Sequence, residues 1–199
     1  ATINEALKYV AAMDRTPEQR VSIVIDPGNY EEMLVIDIPN ITLKNAAGNR
    51  ASTNLTNKGV DIDKNAVRIT SYYIHGYYYY SMGTDCKYDA ELLEINKANG
   101  EYSFKNPGSG TTNGSYWNAT VVVFANGFEA DGIIFENSAN QYISLKESQD
   151  IVVAGTGNKG VRPTTYGDTS VQNKSYVERA AALELYNNVK NANFDNCKV

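Results

Sequence analysis

The chain has 199 residues, 42% of them apolar, enough to bury a core as one domain. Eighteen basic against twenty-three acidic residues leave a net charge of −5, which disfavours nucleic acid as a partner, and no apolar run reaches membrane-spanning length. Two cysteines, Cys86 and Cys197, are too few for a disulfide scaffold and too far apart for a zinc motif, which leaves one bridge or two buried thiols open.

Thr2-Ile3-Asn4-Glu5 has the form of a capping box, and Ile3, Ala6, Leu7 and Val10 recur at helical spacing, which predicts a first helix ending near Met13. Val21, Ile23 and Ile25 alternate as a strand stopped by Asp26-Pro27-Gly28, and a second apolar run covers 33–38. Next comes a five-residue unit, apolar, any, apolar, charged, Asn, at Ile41-Thr42-Leu43-Lys44-Asn45. It returns at Ile133-Ile134-Phe135-Glu136-Asn137 and at Ala192-Asn193-Phe194-Asp195-Asn196. Positions one and three of each unit share a strand face and can be buried, while the charge leaves the core. The closing Asn tolerates a left-handed backbone and can hydrogen-bond its own main chain, so it suits a corner. Stacked in register, three such units predict a parallel β-helix, in which each coil covers the apolar face of the next and the first helix closes the open end. Three strands of a sandwich are the competing arrangement.

From 46 to 118 the pattern weakens. Tyr72, Tyr73, Tyr77, Tyr78, Tyr79 and Tyr80 crowd one segment, with His75 among them read as structural, and a helix is predicted over 89–98 with Gly100 as its stop. Tyrosine rings suit sugar stacking, and they equally suit packing on the outside of a solenoid. Strands are predicted over 120–124 and 132–135, joined through a turn at Asn126-Gly127. The stretch 138–178 is too long and aperiodic for a plain connection, so it is read as an insertion that covers a cleft or packs on the flank. It carries Lys146, Lys159, Arg162 and Lys174, which suit either a basic lid over an anionic substrate or a solvated loop. A strand follows at Ala180.

Several segments combine into a resemblance. Gly28-Asn29-Tyr30-Glu31-Glu32 fits the G-x-Y-x-E of pectin methylesterases, and Asn118-Ala119-Thr120-Val121 resembles their S-A-T-V. Asp131-Gly132-Ile133-Ile134-Phe135-Glu136-Asn137 resembles D-I-T-F-E-N, Arg179-Ala180-Ala181-Ala182-Leu183 resembles Q-A-V-A-L, and Phe194-Asp195-Asn196-Cys197 resembles F-Y-N-C. The five occur in the family's order over nearly the whole chain.

The resemblance implies an all-β, right-handed parallel β-helix of the pectin-lyase-like class, secreted and acting on methylated polygalacturonate without metal or other cofactor. In the family one aspartate attacks the methyl ester, a second acts as general acid and then base, and glutamine donors hold the oxyanion. Arg179 takes the place of the first glutamine and, as a charged donor, is assigned to the ester carbonyl or a neighbouring carboxylate, the alternative being a solvent-side pair with Glu178 or Glu184. The substrate-contacting threonine corresponds to Ser115, or to Thr112 if the loop is shifted. Gly28, Tyr30, Glu32 and Thr120 are motif positions of structural character, as are Asp131, Glu136 and Asp195.

The family's glutamine-aspartate motif follows F-Y-N-C and does not occur before Val199. The expectation is therefore one β-helix domain over 1–199, incomplete at its C-terminus, inactive alone and completed by a continuation or a second chain. A non-catalytic polysaccharide-binding β-helix is the second expectation. A calcium-dependent pectate lyase is the third, hinted at by Asp61-Ile62-Asp63 alone.

Overall fold

A computed structural model describes residues 1–72, 119–149, 165–173, 180–186 and 188–199. Helix α1 (Ile3–Ala11) starts from the capping box: the Glu5 N–H donates to Thr2 Oγ1 at 3.0 Å, and the Thr2 N–H donates back to the Glu5 carboxylate at 2.6 Å. The strands then follow as β1 (Val21–Ile25), β2 (Gly28–Glu31), β3 (Leu34–Ile36), β4 (Ile41–Asn45), β5 (Leu55–Thr56), β6 (Asp61–Ile62), β7 (Val67–Ser71), β8 (Ala119–Val123), β9 (Glu129–Asp131) and β10 (Ile133–Asn137). A one-turn helix α2 (Leu145–Ser148) precedes β11 (Ala181–Leu185) and β12 (Asn193–Asp195). No helix among the described residues is long and apolar enough to cross a membrane.

The strands stack into three parallel sheets, visited in rotation. Sheet A has the order β1-β4-β9-β12, sheet B is β2-β7-β10 and sheet C is β3-β8-β11. The first coil is β1, β2, β3; the second β4, β7, β8; the third β9, β10, β11; the fourth opens with β12, after which Lys198 bridges back to Ile134 in sheet B. This is a parallel β-helix, as the repeated unit predicts, and the sandwich is set aside. In such a solenoid the inward side chains of one coil stack on those of the next. Ile23 pairs with Leu43 and Leu43 with Ala130; Ile69 pairs with Phe135; Leu34 pairs with Val121 and Val121 with Leu183. Ile41, Leu43, Val67, Ile69, Val121, Val123 and Ile133 are fully enclosed. Each such side chain contributes about 1.5–3 kcal/mol by leaving water.

Helix α1 lays Ile3, Leu7 and Val10 into the same core and so closes the first coil. Its N-terminus is tied down by Glu32, whose carboxylate accepts from the Ile3 and Asn4 N–H groups and from Asn4 Nδ2, each at 3.0 Å. These are main-chain donors that the first turn of a helix leaves without partners, and a carboxylate there also meets the positive end of the helix dipole.

Three details differ from the expectation. The unit at 133–137 lies in sheet B, one sheet over from 41–45 and 193–195, because the connection before it is more than a turn. Gly127 (φ +76°) turns the chain, and 129–131 then forms β9, which takes the sheet A place. Secondly, the closing asparagines use two devices. Asn45 and Asn137 accept from the N–H two residues on, at 2.8 and 3.0 Å, whereas Asn196 adopts the left-handed backbone (φ +46°). Thirdly, the Gly-Asn-Tyr-Glu segment, read from the sequence as a motif without an element, is itself strand β2, since it finds register with Val67–Thr70. The helix predicted over 89–98, the tyrosines from 73 to 80, His75 and Cys86 fall outside the described residues. Cys197 is a free thiol, half-buried, and its burial pushes the thiol pKa up.

Candidate functional site

On the outer face of sheet B the alternation that buries Val67 and Ile69 sends Arg68 and Thr70 away from the axis, and in β10 it sends out Glu136. That face is covered on two sides. The excursion between β4 and β7 folds back as the antiparallel hairpin β5–β6, and the chain after β10 returns over the sheet through Tyr142. Arg68, only 3% exposed at its side chain, donates to Asn29 Oδ1, to the Gly59 and Val60 carbonyls at 2.7 and 3.0 Å, and to Glu136 at 3.5 Å. Glu136 Oε1 also accepts from Thr70 (2.9 Å) and from the Tyr142 hydroxyl (2.7 Å). The Arg68 guanidinium lies 5.1 Å from the Tyr142 ring centre, a cation–π distance. Burial, reinforced by the Glu136 charge, raises the Tyr142 phenol far above its ordinary pKa, so Tyr142 is a permanent donor.

Where sheet B hands over to sheet C, hydroxyls pin the corner. Thr120, fully buried, donates to the Glu136 carbonyl at 2.6 Å, so the Ser71 hydroxyl 2.8 Å away is the donor to Thr120. The Ser138 N–H and hydroxyl both reach the Ser71 carbonyl, at 2.7 and 3.2 Å.

A cleft of about 490 Å³ opens beside this cluster. Glu136, Asn137, Gln141 and Tyr142 form one side, Lys58 and Gly59 come from the excursion, Ala180 and Ala182 from the start of sheet C, and Lys198 from the fourth coil. Glu136 is the one carboxylate among the described lining residues, and its charge is already held by Arg68, Thr70 and Tyr142. The cleft therefore joins an apolar lining of Leu55, Ile134, Phe135, Ala180, Ala182 and Val199 to two side-chain amides, the Tyr142 ring and two ammonium groups. Among the described lining residues there is no pair of side-chain carboxylates that would split nucleophile and acid roles.

Arg179, Ser115 and Thr112, the substrate-contacting positions read from the sequence, lie outside the described residues, as do Lys159, Arg162 and Lys174. The strand starts that follow two of those segments are register partners, Ala181 beside Ala119, and Ala180 lines the cleft. Of the motif residues, Tyr30 packs its ring over Gly28, 3.4 Å from where a Cβ would stand, and donates its hydroxyl to the Asp26 carbonyl at 2.8 Å. Glu32 caps α1, and Thr120 locks the corner as described above. Glu31 accepts from the Leu145 and Lys146 N–H groups at 3.1 and 2.8 Å, and Lys146 Nζ reaches the Glu31 carbonyl. This part of the 138–178 stretch thus packs on the flank of sheet B, while Gln141 and Tyr142 from the same stretch line the cleft. On sheet A, Asp131 pairs with Lys44 at 3.3 Å, while the Asp195 strand position lies beside it in register. Asp63 accepts from Ser52 Oγ and the Asn65 N–H, a turn role.

Sequence reasoning missed Arg68, Tyr142, Lys58 and Lys198. The Val67-Arg68-Ile69-Thr70 alternation carried a signal for an outward Arg68, but nothing local marked the excursion that folds Lys58 back onto it. It also missed the environment of Glu184. In β11 this residue stands in register with Val122, itself 1% exposed. Its Oε2 is buried with no hydrogen-bond partner among the described residues, and burial raises its carboxyl pKa.

No protein-family model matches the chain, and no curated protein matches it by sequence. Solved structures do. A pectin methylesterase crystallised with a hexasaccharide aligns over 98% of this chain at 16% identity and a TM-score of 0.50. The pectin methylesterase from Yersinia enterocolitica aligns over 98% at 19% identity, also with a TM-score of 0.50. The chain spans 37% and 40% of the lengths of those two structures. At these identities the likeness is one of fold: the chain is built as the parallel β-helix that pectin methylesterases share.

Proposed function

We propose that this chain is the polymer-binding part of a secreted pectin methylesterase, acting on methyl-esterified polygalacturonate, with the carboxylate pair that performs hydrolysis supplied from outside residues 1–199. The observation that carries this reading is the position of the cleft. It opens at the corner where sheet C begins, and its lining includes Ala180 and Ala182 of the segment that resembles Q-A-V-A-L. The five motifs in family order and the shared fold support it. On the motif resemblance Arg179 supplies a charged donor, which suits either an ester carbonyl or a neighbouring uronate carboxylate.

The second reading is a polysaccharide-binding β-helix without esterase chemistry, favoured by the saturated state of Glu136. The test is to incubate the 199-residue chain with methylated pectin and follow both retention on the polymer and methanol release. Binding without methanol is the expected result. Methanol at an enzymatic rate would place a catalytic pair within these residues and overturn that part of the proposal, and failure to bind pectin would overturn the substrate. Methanol release by a longer natural form of the chain would decide for the esterase over the binding module.

A further inference from the structure

In a solenoid each coil rests only on its neighbours, so stability is a chain of neighbour-to-neighbour terms and one coil can open without the next but one. The segment that follows β10 departs from that rule. It leaves the third coil and runs back over sheet B against the direction of stacking. The Ser138 N–H and hydroxyl hold the Ser71 carbonyl of β7, and the Tyr142 ring lies over Arg68 of the same strand while its hydroxyl returns to Glu136 of β10. The Leu145 and Lys146 N–H groups then reach the Glu31 carboxylate of β2. Since β7 lies between β10 and β2, that last contact spans two strand spacings, about 10 Å, and joins coils that are not paired with each other.

The return limb, 165–173, is tied to the outgoing one. The Ile143 N–H donates to the Asp168 carbonyl at 3.1 Å, and the Gly167 N–H donates to the Ile143 carbonyl at 2.9 Å. Gln172 Nε2 donates to the Lys58 carbonyl at 3.0 Å, which fastens this limb to the excursion between β4 and β7. Both limbs are seated in the fold: Tyr142 is 1% exposed, and Ile143 and Val171 are fully enclosed.

We propose that 138–149 and 165–173 form a strap that joins the first three coils into one cooperative unit, with Glu31 as the point where it fastens to the first coil. Glu31 engages the strap through both carboxylate oxygens, at 3.1 and 2.8 Å, and through its main-chain carbonyl, which accepts from Lys146 Nζ. The next residue, Glu32, holds the N-terminus of α1, so the end of β2 fixes both the helix that closes the first coil and the strap that binds it to the third. Opening the first coil alone then breaks the strap contacts as well as the β1–β4, β2–β7 and β3–β8 ladders. The strap thereby removes the partial opening that a simple stack of coils would allow.

Amide hydrogen exchange under native conditions tests this, read by mass spectrometry on peptides covering 21–36 for the first coil and 67–71 and 119–123 for the second. It uses the unaltered chain, Glu31→Ala, and Lys44→Ala as the control. Lys44 pairs with Asp131 across neighbouring coils on sheet A at 3.3 Å and makes no part of the strap. Glu31 is partly exposed, so its alanine variant is expected to fold. In the unaltered chain the slowest amides of the first coil are expected to exchange within about threefold of those of the second. Glu31→Ala is expected to speed the first coil by about tenfold, the scale of a hydrogen bond to a charged group, and to leave the second within about twofold. Lys44→Ala is expected to keep the two coils matched. A first coil that already exchanges much faster than the second in the unaltered chain overturns the proposal. So does a Glu31→Ala effect that is absent or equal in both coils, or the same separation of the coils in Lys44→Ala.

Discussion

Replacing Arg68 by methionine tests the polar cluster that shapes the cleft. The substitution keeps a long side chain under Tyr142 but removes a guanidinium that is 3% exposed and donates to four partners. The Gly59 and Val60 carbonyls lose their donor, and Glu136, 13% exposed at its side chain, keeps Thr70 and Tyr142 but no counter-charge. Breaking a buried ion pair from one side costs about 3–5 kcal/mol, because the stranded charge stays desolvated. For a chain of this size each kcal/mol moves the melting temperature by about 2–4 °C, so a fall of about 6–20 °C is expected. Thermal and urea unfolding of Arg68→Met, Glu136→Gln and the double variant measure it. The double variant should lose less than the sum of the singles, since no stranded charge remains. A loss below about 1 kcal/mol for Arg68→Met, or strictly additive singles, would show that the cluster is solvated and that the excursion is held by something else.

Two further outcomes are expected. Gly132→Ala should cost about 2–4 kcal/mol in urea unfolding. Its φ is +70°, and an added Cβ would stand 2.9 Å from Ala51 Cβ and 3.1 Å from Asn45 Cβ, so left-handed strain and overpacking add. Gly59→Ala, at φ +94° with nothing within 4 Å, should show the backbone part alone, about 1–2 kcal/mol; equal losses at the two sites would refute the packing argument. Glu184→Gln should flatten the pH dependence of stability. Burial raises the folded-state pKa of this carboxyl, so the folded protein holds its proton more tightly than the unfolded chain. That contribution is complete below the unfolded pKa and is lost as pH rises through the interval up to the raised folded value. The glutamine variant should therefore gain in urea midpoint over the unaltered chain at about pH 7 and not at about pH 4; the opposite order would refute the burial of Glu184.

Local pattern was enough for the architecture and for part of the elements; β2, β5, β6, β7 and β9 were not read from it. The capping box and the 3, 6, 7, 10 spacing specified α1, since both act within one or two turns of chain. The alternation in 21–25 and 41–45 specified two strands and which of their side chains face inward, because a strand's period of two does not depend on its partner. The recurrence of one unit three times then specified stacking, since a single coil cannot cover its own apolar face. Local pattern did not specify which sheet each copy joins. The unit at 133–137 reads like the one at 41–45, yet it sits one sheet over, because Gly127 and Gly132 let a three-residue strand fit between β8 and β10.

The site shows the same division more sharply. Gly28, Tyr30, Glu32 and Thr120 were visible as motif positions, but that Glu32 caps a helix 28 and 29 residues away, or that Thr120 ties a corner through the Glu136 carbonyl, depends on contacts between coils. Arg68 and Tyr142 meet, and Lys58, Tyr142 and Lys198 line one cleft, only because the solenoid returns the backbone to the same angular position on each turn and the excursion folds back over sheet B. Sequence by itself determined the inward rows of the β-helix, which follow from local periodicity and the transfer of apolar surface from water. The tertiary structure alone decided the outward rows and the charge of the cleft. There the neighbours are set by register and loop return, and a lysine or glutamate reads the same whether it is solvated, buried in a pair or presented to a ligand.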